Sequence, residues 1–179
     1  MKQYRDKKMT SGSNTQYVLI SINPKWCELI ANGKKTIEVR KTRPKIETPF
    51  KCYIYETKAR TDMPTFVDED EHIIYEGRGQ IIGEFVCKKI EKFPVGSLMC
   101  DNIEKSACLT YSEMIRYFYK PEELDGNTPK FGFGWHISDL VIYDEPKELS
   151  TFRHCGDNYH FNPILSRPPQ SWCYVEELR

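Results

Sequence analysis

No stretch of eighteen apolar residues occurs anywhere in this sequence, so no membrane-spanning helix is expected. The opening residues 1–14 lack the apolar centre of a secretory signal. Residues 1–16 read instead as a disordered polar tail, with residues 17–179 as a single domain long enough to bury a core. Cysteines at C-x-x-C spacing are missing as well. Seven cysteines, an odd number, favour free thiols and a reducing, cytoplasmic setting over a disulfide framework. Net charge is zero, with 26 Lys/Arg against 26 Asp/Glu, which argues against a general nucleic-acid coat protein. There is no Walker loop, dinucleotide fingerprint or G-x-S-x-G elbow, so no cofactor is expected and a serine-hydrolase reading has no motif behind it. Gly77-Arg-Gly79 reads as a turn, and no internal repeat is visible.

What is present begins with an uneven placement of charge. Residues 1–51 hold 12 Lys/Arg against 4 Asp/Glu, a balance of +8, and residues 52–179 hold 14 against 22, a balance of −8. The basic part contains Gly33-Lys34-Lys35-Thr36-Ile37-Glu38-Val39-Arg40, a G-x-K-x-x-E-x-R spacing, and its extension Lys41-Thr-Arg43-Pro-Lys45. Positive potential concentrated there would attract phosphate. The plainer alternative is a solvated basic surface beside an acidic remainder.

Local punctuation around the motif is clear. Tyr17-Val-Leu-Ile-Ser-Ile22 reads as a strand. Asn23 is a helix N-cap, Pro24 a first helical residue, and Trp26, Leu29 and Ile30 an apolar stripe. Gly33 supplies a left-handed C-terminal turn, after which a second strand starts. On that strand Thr36, Glu38 and Arg40 share one face, while Ile37 and Val39 point into a core. Lys35, on the turn side, can bend toward the polar face.

Ser21-Ile-Asn-Pro-Lys-Trp-Cys-Glu-Leu-Ile-Ala-Asn-Gly-Lys-Lys-Thr-Ile-Glu-Val-Arg40 resembles the opening of an ASCH domain, a branch of the PUA-like superfamily. The motif match at Gly33, Lys35, Glu38 and Arg40 is complete. Ile81-Ile-Gly-Glu-Phe-Val86, Gly134-Trp-His-Ile137 and Arg167-Pro-Pro-Gln-Ser-Trp172 are compatible with it. The resemblance spans Tyr17 to the C-terminus. It implies an α+β fold built on a small mixed β-barrel with a few peripheral helices, a cleft lined by the motif, and binding of RNA or a nucleotide.

The rest of the chain alternates strands with irregular stretches. Lys51–Thr57 reads as a strand with Cys52, Ile54 and Glu56 on one face and Tyr53 and Tyr55 on the other. Residues 60–71 carry Pro64 and the acidic run Asp68–Glu71 and read as a solvated loop. Gly79–Lys89 is a strand in which Gly83 marks a bulge. Thr110-x-x-Glu113 is a capping box before Met114, Ile115 and Phe118. Asp125–Pro129 is a turn, Phe131–Tyr143 is strand with a break at Ser138-Asp139, and Trp172–Val175 is a short last strand. Strands dominate, which fits a mixed barrel.

Lys35, Glu38 and Arg40 are the expected site. As surface ion pairs they would contribute only ~0–1 kcal/mol each, a weak reason to assemble three. Arg40 suits a phosphate or a base edge, Lys35 a mobile charge, nucleophile or base, and Glu38 an acceptor or proton carrier. Lys41 and Arg43 extend the binding surface. Among the tryptophans, Trp26 on the helix stripe is the expected core member, and Trp172, in a proline-rich extended segment, the expected base stacker. His154-Cys155 with His160 and Cys173 matches no zinc spacing, and no metal site is expected. Two classes follow: a module binding RNA or a nucleotide, or a small hydrolase with Lys35 and Glu38 catalytic. Some members of the resembled family deacylate an acetylated cytidine with a lysine, a threonine three residues later and a glutamate. Here Lys35 matches the lysine, the threonine position holds Glu38, and Glu84 is the candidate second carboxylate. Other members are ribonucleases.

Overall fold

A computed structural model describes residues 16–58, 66–67, 74–96, 101–123, 129–155 and 163–178. The expected tail, the acidic run Asp68–Glu71, His160 and most of the Asp125–Pro129 turn lie outside these residues. In chain order the elements are β1 (Tyr17–Ile22), α1 (Pro24–Ala31), β2 (Ile37–Arg40), β3 (Phe50–Glu56), β4 (Phe66–Val67), β5 (Ile74–Tyr75) and β6 (Gln80–Pro94). Then come α2 (Asp101–Ala107), α3 (Tyr111–Phe118), β7 (Phe131–Lys147) and β8 (Trp172–Val175), with single 3-10 turns at Pro121–Glu123 and Leu149–Thr151.

Six strands form one mixed sheet in the order β2-β7-β6-β3-β1-β8, and β4 pairs only with β5. β1 runs parallel to β3, with Val18 opposite Cys52 and Ile22 opposite Glu56. All other pairings in the six-stranded sheet are antiparallel. Both faces of β1 and β3 are covered, which is why β1 is apolar at nearly every position. Val18, Ile20, Cys52 and Ile54 pack on one side with Phe85 and Trp135. Leu19, Tyr53 and Tyr55 pack on the other with Ile81, Phe152 and Leu165. A third cluster joins Ile37 and Val39 of β2 to Phe93, Ile103, Met114 and Phe118, fixing α2 and α3 beside β2.

The α+β class holds, but the ladder is not closed into a barrel: β2 and β8 end the strand order as unpaired edges. β2 has four residues, and the stretch after it carries Pro44 and Pro49, which offer no backbone N–H to a ladder. Side chains cross the gap instead. Arg40 donates from NH2 to the Ser21 carbonyl on β1, Trp172 Nε1 donates to Thr42 Oγ1 (3.0 Å), and the Lys45 amide donates to the Tyr174 hydroxyl (2.7 Å).

Most local readings match. Asn23 caps α1 through its side chain, Thr110 and Glu113 complete the capping box of α3, and the register shifts beside Gly83, where an added Cβ would meet the Val141 carbonyl. The break at Ser138-Asp139 is a bulge with Asp139 at φ 49°, and β7 continues through it to Lys147. α2 went unread: seven residues with Ile103 and Ala107 as its buried positions are too short for a periodic signal. β4 falls within the stretch read as a loop. Among the described residues no helix is long and apolar enough to cross a membrane, and six cysteines are unpaired.

Candidate functional site

Gly33, at φ 74°, turns the chain back at the end of α1, and the Lys35 amide then donates to the Leu29 carbonyl (2.9 Å). This return carries the Lys35 side chain beneath the helix. Its ammonium donates to the Ala107 carbonyl at the end of α2 (2.7 Å) and lies 3.4 Å from Glu38 Oε2. Glu38 Oε1 is 3.0 Å from Arg40 NH2, and Arg40 also reaches the Ser21 carbonyl and Ser171 Oγ (3.5 Å). The three charged side chains meet as expected from their spacing. They are not, however, a surface network: Lys35, Glu38 and Arg40 are 2 %, 6 % and 7 % exposed. Taking ions out of water carries a desolvation penalty of several kcal/mol per ion, offset only by good pairing, so the surface estimate does not apply.

The group lines a cleft of about 350 Å³. Ser21, Asn23 and Thr57 bring polar groups to its walls, and Trp26, Leu109 and Tyr117 bring apolar surface. Trp26 has the Lys35 and Lys25 ammoniums 5.1 and 4.9 Å from its ring centroid. Lys25 also pairs with Glu113 (3.6 Å), linking the start of α1 to α3 across the cleft. Tyr117 carries Lys41 5.0 Å from its ring centre, and burial pushes its phenol pKa up, with nearby Arg40 opposing the shift. Two buried polar atoms of the motif accept or donate no hydrogen bond: Glu38 Oε2 and Arg40 Nε.

The other expected residues distribute differently. Lys41 is exposed beside Tyr117. Arg43 is exposed, donates from Nε to its neighbour Pro44 (3.3 Å), and does not line the cleft. Trp172 packs 6.0 Å from Trp135 and 5.5 Å from Tyr174, ring centre to ring centre, and is not part of the cleft wall. Trp26, assigned to the core from the sequence, is half-buried and lines the cleft; Pro24, Cys27 and Ile30 are the buried face of α1. The two possible stripes of so short a helix differ by one residue, and cysteine is the more readily buried. Glu84 is tied to Lys51 (3.0 Å) and the Tyr143 hydroxyl (2.6 Å) and is absent from the cleft wall. Among the described residues no three His, Cys, Asp or Glu are grouped to hold a metal.

Tyr117, Glu113, Thr57 and Leu109 had no signal near the motif in sequence. The only hint was the helix pattern after Thr110, whose exposed residues include Tyr117.

The ASCH domain family profile matches residues 20–128. No curated protein matches the chain. Solved structures are similar in fold. A crystal structure of ASCH from Zymomonas mobilis is 19% identical with a TM-score of 0.59, covering 90% of this chain and 88% of that one. A Tyr-to-Phe mutant of the Zymomonas mobilis protein is 18% identical at TM-score 0.56, covering 90% and 91%. Its Ser-to-Ala mutant is 18% identical at 0.59, covering 92% and 91%.

Proposed function

The chain belongs to the ASCH domain family, and on that premise we propose that it is a binding module whose cleft over Lys35, Glu38 and Arg40 holds RNA or a single nucleotide. The observation that supports this most is the cleft itself. Three buried charges converge on about 350 Å³ of space between the rings of Trp26 and Tyr117. A volume of that order fits a small planar ligand or one extruded base, and aromatic walls suit a base face. Lys41 and Arg43 stand exposed on the chain leaving β2, where a phosphate backbone would meet positive charge. Residues 17–179 act as one unit in this reading, in a cytoplasmic setting consistent with the unpaired thiols.

The test is titration with a short single-stranded RNA and with nucleoside monophosphates at two salt concentrations. Expected is binding that weakens with salt and is lost in Trp26→Ala. Absence of binding to every RNA and nucleotide offered would reject the module.

A hydrolytic reading, on a modified nucleoside or on RNA, is favoured by one observation, the 3.4 Å approach of Lys35 Nζ to Glu38. Against it, the same ammonium is already held by the Ala107 carbonyl. Incubation with acetylated cytidine and with labelled RNA separates the readings: turnover that disappears in Lys35→Ala would favour the enzyme.

A further inference from the structure

We propose that the cleft selects a nucleobase that places an amino group on Glu38, and that any phosphate of the ligand stays outside. This rests on the binding-module reading and names the ligand chemistry of the same site.

The argument begins with what the cations already do. Lys35 donates to the Ala107 carbonyl and faces Glu38; Arg40 donates to the Ser21 carbonyl and Ser171 and faces Glu38. Both are buried, and each is engaged by the protein's own oxygens. A phosphate entering the cleft would have to compete with these partners while approaching the carboxylates of Glu38 and Glu113, which line the same space. Like charges brought together in a poorly hydrated cleft repel strongly. The exposed cations available to a phosphate, Lys41 and Arg43, are on the surface.

What the motif leaves unused is one acceptor and one donor. Glu38, 94 % buried by its 6 % exposure, accepts no hydrogen bond at Oε2, and Arg40 donates none from Nε. A buried polar atom without a partner is costly, and a ligand that supplies the partner recovers that energy. An ionised carboxylate only accepts, so the complementary group on the ligand must donate. An amino group beside a ring nitrogen, as in cytosine and adenine, offers a donor to Glu38 with an acceptor next to it for Arg40. Uracil and hypoxanthine carry a carbonyl oxygen where those bases carry the amine, and that oxygen would face the carboxylate. The faces of Trp26 and Tyr117 contact a base of either kind, so they contribute affinity without choosing.

Isothermal titration of the full chain with two matched pairs, cytidine against uridine and adenosine against inosine, tests this. Expected is binding of cytidine and adenosine, with the carbonyl partner about five- to a hundredfold weaker in each pair, the range that one specific edge contact supplies. The preference should collapse in Glu38→Gln, whose amide can donate as well as accept, with circular dichroism confirming that the variant is folded. Adding a 5′-phosphate should strengthen binding less than tenfold, and that gain should vanish in Lys41→Ala. Equal affinity within both pairs would overturn the selection while leaving the binding module intact. Monophosphates that bind while the bare nucleosides do not would overturn it as well, by placing phosphate in the cleft. Failure of every nucleoside, monophosphate and single-stranded RNA would remove the module and this inference together. The comparison of the pairs on the unmutated protein stands even if Glu38→Gln does not fold.

Discussion

The guanidinium of Arg40, on edge strand β2, donates to the backbone carbonyl of Ser21 on β1, joining parts of the sheet that no ladder connects. The same side chain is 3.0 Å from Glu38 in the cleft wall. One residue therefore spans the open seam of the sheet and helps form the site.

Replacing Arg40 should consequently destabilise the fold, in contrast to the small effect expected of a surface ion pair. Arg40→Ala leaves Glu38 without one of its two cations and the Ser21 carbonyl without its guanidinium donor, so a loss of ~3–5 kcal/mol is expected in urea denaturation. Arg40→Lys should recover only part of it, because a single ammonium cannot span Ser21, Ser171 and Glu38 as the planar fork does. An unchanged unfolding midpoint in Arg40→Ala would show that the seam is held elsewhere.

Lys35 and Glu38 should behave as one unit. Lys35→Met removes the ammonium that meets both Ala107 and Glu38 in a site 2 % exposed, leaving a buried carboxylate short of compensation. The double variant Lys35→Met/Glu38→Gln should lose less stability than the two single losses summed, with a coupling of ~1–3 kcal/mol. A double-mutant cycle by chemical denaturation measures it, and additive losses would mean that the 3.4 Å approach carries no energy.

The two tryptophans should separate binding from stability. Trp26→Ala removes a cleft wall and should weaken a bound base about tenfold or more with a modest change in melting temperature. Trp172→Ala removes packing on Trp135 and Tyr174 and the hydrogen bond to Thr42, and should cost ~2–4 kcal/mol of stability with unfolding as its main phenotype. Affinity and thermal melts on both variants decide between this assignment and the reverse one.

Acid should act through Glu84. Burial raises its pKa, but hydrogen bonds from Tyr143 and Lys51 outweigh that and hold it below the ordinary carboxylate value. Because the folded value is the lower one, the stabilisation is fully present above the unfolded pKa of about 4.3 and fades as pH falls through the folded value. Tyr143→Phe removes one of those hydrogen bonds, so the gap in melting temperature between the protein and this variant should be widest near neutrality and narrow in acid. A gap that stays constant from pH 7 to about pH 3 would detach Glu84 from the effect.

Legibility followed the range of the interactions. The N-cap at Asn23, the turn at Gly33, the capping box at Thr110 and the bulge at Gly83 depend on neighbours within a few residues or on the missing glycine side chain, and each was readable. α2 was not, since its buried face amounts to Ile103 and Ala107 and is defined by contact with β2. Trp26 and Trp172 were assigned in the wrong order because residue type gives the apolar surface of a tryptophan but not what covers it.

By itself, then, the order of residues determined a strand, a capped helix, a glycine turn and a strand that carry Lys35, Glu38 and Arg40 in register. Only the tertiary structure decided that these charges are buried, that the sheet stays open beside them, and that Trp26 and Tyr117 wall the space. The physical reason is distance along the chain. Lys35 meets Ala107 across 72 residues, and Arg40 meets Ser171 across 131, so no local pattern encodes the partners that remove these side chains from water.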